Sequence, residues 1–299
     1  MSEEQIYESR WDGSADSPDK ARVAVDGSPD EQTLRHTGAG GARLLKAALD
    51  IQPTDRVFEL GCGVARVGRE LAPDCAEWHG ADISRNMLRV AGERLRGFDN
   101  THLHKLDRTE LKGLKDDYFD KAYAVAVLIH LDKEDVLLYL HELARVLKPG
   151  GLLYFDTWNL AHEAGWKRWL LEVDHWASSD QSQRKDVSRN QFSVLKEIRL
   201  YLEHAGLTDV AVGTESPFLQ VIAARQPSPV DLASLRRRVE KHEKEIFYSA
   251  RWGELFSIVM DLINGRADVD AVLADLERRD DEDSAQFRDY IRAQFKAEK

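Results

Sequence analysis

Glu59, Gly61 and Gly63 stand two residues apart in VFELGCGVARVGREL, residues 57–71, where an apolar run gives way to a helical pattern. Glycine at such a junction allows unusual φ values and removes the Cβ, so a ligand can approach the backbone closely. The helix that follows points its first N–H groups back at that ligand. Asp82 closes a second apolar run about 20 residues on, where a carboxylate can accept hydrogen bonds from both hydroxyls of a ribose. These types and spacings fit a cradle for a nucleoside-bearing ligand. His130, in VLIHLDKED, is the candidate general base, because imidazole titrates near neutral pH.

Two ligand classes use such a cradle. A dinucleotide fingerprint needs glycine at position 66, where this chain has Arg66, so a nucleotide-dependent oxidoreductase is disfavoured. The pattern acidic-x-G-x-G-x-G is matched by Glu59, Gly61, Gly63 and Ala65, with alanine as the mild departure. S-adenosylmethionine carries a positive sulfonium and an amino group and no phosphate. A carboxylate at position 59 suits that ligand and repels a pyrophosphate.

The elements that must position these residues follow from hydrophobic periodicity. Strand-like runs lie at DRVFELG, EWHGADI, THLHKLD, KAYAVAVL, GLLYFDT, VAVGT and QVIAAR. Helical spacing begins in GGARLLKAALDI and recurs at 66–72, 84–96 and 133–147. The expected fold is α/β: a doubly wound, mostly parallel seven-stranded sheet with an antiparallel last strand. Only ESPFL separates the last two strands, too short for a helical crossover. Residues 1–35 are expected as an irregular arm with at most one short helix, residues 36–226 as the main domain, and 227–299 as a C-terminal helical extension. Tyr7 and Trp11 either anchor the arm or close over a ligand.

These motifs together resemble the class I S-adenosylmethionine-dependent methyltransferases over residues 36–226. VFELGCGVA resembles the first motif and GADIS the acidic end of the second strand. LDRTEL resembles the segment that meets adenine, and FDKAYAVAVLIHL the fourth strand and its loop. ELARVLKPGGLLYF and FSVLKEIRLYLEHAGLTDVAV resemble the later helices and strands. The resemblance implies that Glu59, Gly61, Cys62 and Gly63 wrap the methionine part of S-adenosylmethionine and that Asp82 binds the ribose. It places Ile83 and Met87 near the adenine or ribose, Leu106 and Asp107 along the adenine edge, and Ala124 and Val125 facing the cofactor. His130 occupies the position where small-molecule methyltransferases, including the phosphoethanolamine type, often carry a histidine. Cys62 reads as a small loop residue, not a nucleophile.

The acceptor pocket is expected from the insert at 156–190, with Trp158, Asn159 and His162 nearest the strand end and Trp166 and Trp169 as the buried stripe of a covering helix. His79, His102 and His104 read as structural, and no metal site is expected. The extension has apolar faces at helical spacing, notably at 254–263, that pack on their own domain, form a homodimer or meet a protein partner through residues 232–299. The net charge of −11 argues against nucleic-acid binding. No apolar run approaches the ~20 residues needed to span a bilayer. The acidic first residues lack a signal-peptide pattern, and two cysteines cannot form a disulfide framework, so a cytoplasmic, reduced protein is expected. The leading expectation is methyl transfer to a small-molecule acceptor, O-methylation ahead of N-methylation. The alternative is a methyltransferase-like binding or scaffold subunit acting through its C-terminal helices.

Overall fold

The computed structural model describes residues 4–107, 109–180 and 189–295. Parts of the expected arm (1–3), insert (181–188) and extension (296–299) lie outside the described residues. The strands are β1 (Arg56–Leu60), β2 (Glu77–Asp82), β3 (Thr101–Lys105), β4 (Phe119–Ala124), β5 (Leu147–Asn159), β6 (Phe192–Ser193), β7 (Leu207–Gly213) and β8 (Phe218–Arg225). The helices are α1 (Glu4–Gly13), α2 (Pro18–Asp26), α3 (Glu31–Leu49), α4 (Gly68–Leu71), α5 (Arg85–Arg94), α6 (Lys133–Val146) and α7 (Glu163–Trp176). They continue as α8 (Leu195–His204), α9 (Leu232–Lys241), α10 (Glu243–Ile246), α11 (Ala250–Ile263), α12 (Val269–Glu277) and α13 (Glu282–Phe295).

The sheet order is β3-β2-β1-β4-β5-β8-β7. Strands β1 to β5 pair in parallel, and β8 runs antiparallel to both β5 and β7. This is the expected mostly parallel sheet with its antiparallel last strand. The short β6 adds an eighth strand, beside Trp158 and Asn159 at the end of β5. Strands β1 and β2 are almost wholly buried, which is why they read as continuous apolar runs rather than as alternating ones, whereas the edge strand β3 is partly exposed. The chain reverses its winding between β1 and β4, and a crevice opens at the carboxyl ends of strands at such a switch point. Glu59, Asp82 and the loop after β4 all meet there.

The first 35 residues differ from the expected irregular arm. Ser17 caps α2 by accepting from the Lys20 N–H, Pro18 takes the first helical turn, and Gly27 ends the helix at φ 73°. Asp30 then caps α3. The segment is tied down: Asp12 Oδ1 accepts from Ser84 Oγ at 2.6 Å and from the Asn86 N–H at 3.1 Å. Tyr7 donates to Asp135 at 3.1 Å.

The C-terminal helices pack on their own chain. Val239 and Ile246 join the core around Leu45, Leu49 and Val57. Leu255, Val259, Leu273, Leu276, Phe287 and Ile291 form a separate core with Ala164 of α7. Burying six such side chains stabilises on the order of 1.5–3 kcal/mol each, before entropy is counted. Trp166 departs from its expected burial: it is 48% exposed and stacks against Trp169 with ring centroids 4.9 Å apart.

Candidate functional site

The glycine loop is held in a shape that side chains resist. Gly61 has φ 66° and Gly63 φ 51°, and a Cβ at Gly61 would lie 2.4 Å from Val127 Cγ2. Ala65, at the third glycine position of the pattern, also has a positive φ of 55°. An L-residue there costs roughly 1–2 kcal/mol. Cys62 donates its backbone N–H to Ala81 at 3.0 Å, and burial raises its thiol well above the ordinary range, so it is no nucleophile at neutral pH.

Asp82 fastens this loop to the next one. Its Oδ2 accepts from the Gly63 N–H and its Oδ1 from the Ser84 N–H, each at 2.8 Å. Burial raises its pKa, and the two backbone bonds oppose that shift. Each oxygen keeps a lone pair for a further donor.

Glu59 is buried at the end of β1. It accepts from Tyr123 Oη at 2.6 Å, and Trp78 Nε1 donates to the same phenol at 3.0 Å. Burial pushes Glu59 up to about 8, with Tyr123 and Arg66 acting against it. Arg66 pairs with Asp26 at 3.8 Å.

A cavity of about 680 Å³ opens over these residues. Glu59, Gly61, Cys62, Gly63, Asp82, Ile83, Met87, Leu106, Asp107 and Val125 line it, as do Tyr7, Trp11 and His130. Ala124 does not: it is fully buried in the core with Phe58 and Leu60. Tyr7 and Trp11 lie on α1, which Tyr7 anchors through Asp135, and both line the cavity.

His130 ends a short 3₁₀ turn, Leu128–His130, after β4. Its Nδ1 is buried and has no hydrogen-bond partner. Its ring meets Trp11 edge-on, with centroids 5.0 Å apart. Burial lowers its pKa to about 4, opposed by Glu172, so the imidazole is neutral at pH 7. An exposed histidine titrates near neutrality, as expected of His130; its apolar surroundings move this one down.

Trp158, Asn159 and His162 lie outside the cavity lining and are engaged elsewhere. Trp158 packs among Phe192, Phe218 and Phe256 and donates to Asn190. Asn159 donates to the carbonyls of Thr214 and Ser216 and accepts from the Ala161 N–H. His162 caps α7, its Nδ1 accepting from the Ala164 N–H at 3.1 Å. The cavity is also lined by α6, through Asp135, Leu138, Tyr139 and Glu142, and by Thr109, which donates to Asp135 at 3.0 Å. The four α6 residues recur at i, i+3, i+4 and i+7, one helix face, with Leu138 left 51% exposed. That periodicity was visible in the sequence directly after His130.

Residues 57–151 match the methyltransferase domain family. The chain is 34% identical over 131 residues to a methyltransferase, GfsG, of Streptomyces halstedii, covering 42% of this chain and 46% of that protein. It is 28% identical over 166 residues to the 2-methyl-6-phytyl-1,4-hydroquinone methyltransferase of Synechocystis, covering 55% and 50%. The matched stretches thus span about half the length of these curated relatives. In fold it resembles the magnesium protoporphyrin IX methyltransferase of Synechocystis solved with bound S-adenosylmethionine, at a TM-score of 0.54 and 17% identity, covering 76% of this chain and 98% of that one. With the glycine loop, Asp82 and the switch-point cavity in place, residues 57–151 carry a methyltransferase domain, within a chain that has the fold of that S-adenosylmethionine-bound structure.

Proposed function

We infer that this chain methylates a small-molecule acceptor, with a hydroxyl ahead of an amine as the receiving group. The observation that carries the reading is the position of His130, which lines the same cavity as Glu59 and Asp82 and whose buried Nδ1 has no hydrogen-bond partner. S-adenosylmethionine, when bound, supplies a methyl group already activated by its sulfonium. The loop fits that ligand: Glu59 offers an acceptor to a cationic group, Gly61 and Gly63 leave room for close approach, and Asp82 has lone pairs free for ribose hydroxyls. Leu106 and Met87 give apolar contact for an adenine.

The chain's own part is then alignment and proton handling. Tyr7, Trp11, Leu138 and Tyr139 narrow the approach and exclude water, which raises the effective concentration of a correctly placed acceptor. Neutral His130 accepts a hydrogen bond from an acceptor hydroxyl and takes its proton as the oxygen becomes nucleophilic. A base held this low suits an acidic hydroxyl, such as a phenol or enol, better than an alkyl alcohol. The small-molecule acceptor of the Synechocystis relative, a hydroquinone by its name, is of that class.

The scaffold reading is less favoured, because α11–α13 spend their apolar residues on α7 and on one another. Among the described residues no helix is long and apolar enough to cross a membrane. A cytoplasmic setting remains part of this proposal. The test is transfer of labelled methyl from S-adenosylmethionine to a panel of phenols, enols, alcohols and amines. Label entering phenols or enols first supports the reading. Label entering only amines, or only macromolecules, rejects it.

A further inference from the structure

Three histidines and a glutamate gather on β2 and β3, upstream of Asp82 and away from the cavity lining. The parallel register sets His79 beside His102, with ring centroids 4.4 Å apart. One ligand atom each from Glu77, His79 and His102 lies within 4.8 Å of the others. His79 Nε2 is 3.1 Å from Glu77 Oε2, and His79 Nδ1 is 2.9 Å from His104 Nε2. Among the described residues this is the group with metal-ligand spacing.

We propose that Glu77, His79 and His102 bind one divalent transition-metal ion of the zinc class, with His104 orienting His79. Zinc takes imidazole nitrogen at about 2.0–2.1 Å and carboxylate oxygen at about 2.0–2.2 Å. Ligand atoms around such a tetrahedral ion stand roughly 3.3 Å apart. The pair from Glu77 and His79 is already that close. His102 is exposed, so its ring is free to turn inward, and it leaves a path for the ion from solvent. Two nitrogens and one oxygen favour zinc, cobalt or nickel over magnesium or calcium, which prefer oxygen alone.

His104 supplies what metal-bound histidines usually have, a partner on the second ring nitrogen. A His79 that donates from Nδ1 to His104 Nε2 turns its Nε2 lone pair toward the ion. With no ion bound the Glu77 carboxylate accepts a hydrogen bond from Nε2, so binding exchanges one neutral tautomer of His79 for the other, with no net change in its protonation. Glu77 also accepts from Tyr118 Oη at 2.7 Å and from Arg56 Nε at 3.3 Å, which fixes its carboxylate and moderates its affinity for a cation. The bound ion would staple β2 to the edge strand β3, the two strands that deliver Asp82 and Leu106.

The test uses the full-length, metal-stripped chain without a histidine tag, titrated with zinc chloride by calorimetry and with cobalt chloride by visible absorption. The expected result is one ion per chain and the absorption bands of tetrahedral cobalt. His102→Ala, at an exposed position, should fold as the parent does and weaken zinc binding at least tenfold. His104→Ala should weaken it about 10–100-fold. No zinc binding at about 100 µM, or His102→Ala binding as tightly as the parent, overturns the proposal. Neither readout depends on methyl transfer.

Discussion

The Gly63 N–H donates to Asp82 Oδ2 at 2.8 Å, so the carboxylate at the end of β2 holds the glycine loop that follows β1. Asp82 thus shapes the cradle as well as offering acceptors to a ligand. Asp82→Ala should weaken S-adenosylmethionine binding by about 1–3 kcal/mol and lower folding stability by a similar amount, because the Gly63 and Ser84 N–H groups lose their acceptor. Asp82→Asn, which keeps one acceptor oxygen, should lose less of each. Calorimetry and urea unfolding read the two effects. Wild-type values of both in the alanine variant would contradict this role.

Glu59 gives a pH signature. Its pKa in the ligand-free fold is about 8, above its ordinary value, so the fold favours the neutral acid. That contribution to stability is full at low pH and is lost as pH rises from the ordinary carboxylate range to about 8. A cation placed beside Glu59 favours the carboxylate instead. Binding of S-adenosylmethionine at pH 7 should therefore release close to one proton from this group. Calorimetry in buffers of different ionisation enthalpy measures the release, with Glu59→Gln as the control that lacks it. Equal proton release by parent and variant would remove Glu59 from contact with the ligand.

His130 has the opposite sign. Its folded pKa of about 4 lies below that of an unfolded histidine, about 6.5. Between these values the unfolded chain binds the extra proton, so stability falls as pH drops from 6.5 to 4. His130→Asn should flatten that part of the pH dependence of Tm. With a hydroxyl acceptor it should also slow turnover ~10²–10⁴-fold while leaving cofactor affinity within a few-fold. Turnover within threefold of the parent would take His130 out of the proton transfer.

Trp158 should matter for folding and not for the cofactor. It is 7% exposed among Phe192, Phe218 and Phe256. Trp158→Ala should cost about 3–5 kcal/mol in urea unfolding. S-adenosylmethionine affinity at a temperature where the variant stays folded should change less than threefold. A large loss of affinity with little loss of stability would restore Trp158 to the pocket.

The parts of this molecule written in short-range patterns were legible in its sequence. β1, β2 and β4 are buried on both faces and read as apolar runs, and the loop at Gly61 and Gly63 needs backbone conformations that glycine announces. The cavity walls were harder to read because they depend on where chain segments meet. Asp12 and Tyr7 reach across more than 70 residues to Asn86 and Asp135, and no local pattern records that. The α2 signal was present in Ser17, Pro18 and Gly27, but an acidic, turn-rich composition masked it. Trp158 and Asn159 are the last residues of β5, where β6 and β8 flank them and direct their side chains into packing. His79 and His102 are brought together only by the register of two parallel strands, which their positions in the sequence do not give.

Calorimetric titration of the full-length chain with S-adenosylmethionine, set beside an identical titration with NAD, tests the central claim most directly. The geometry of Glu59, Gly61, Gly63 and Asp82 predicts one S-adenosylmethionine site per chain, weakened in Asp82→Ala, and no heat of binding from NAD. Saturable NAD binding with no response to S-adenosylmethionine would contradict it.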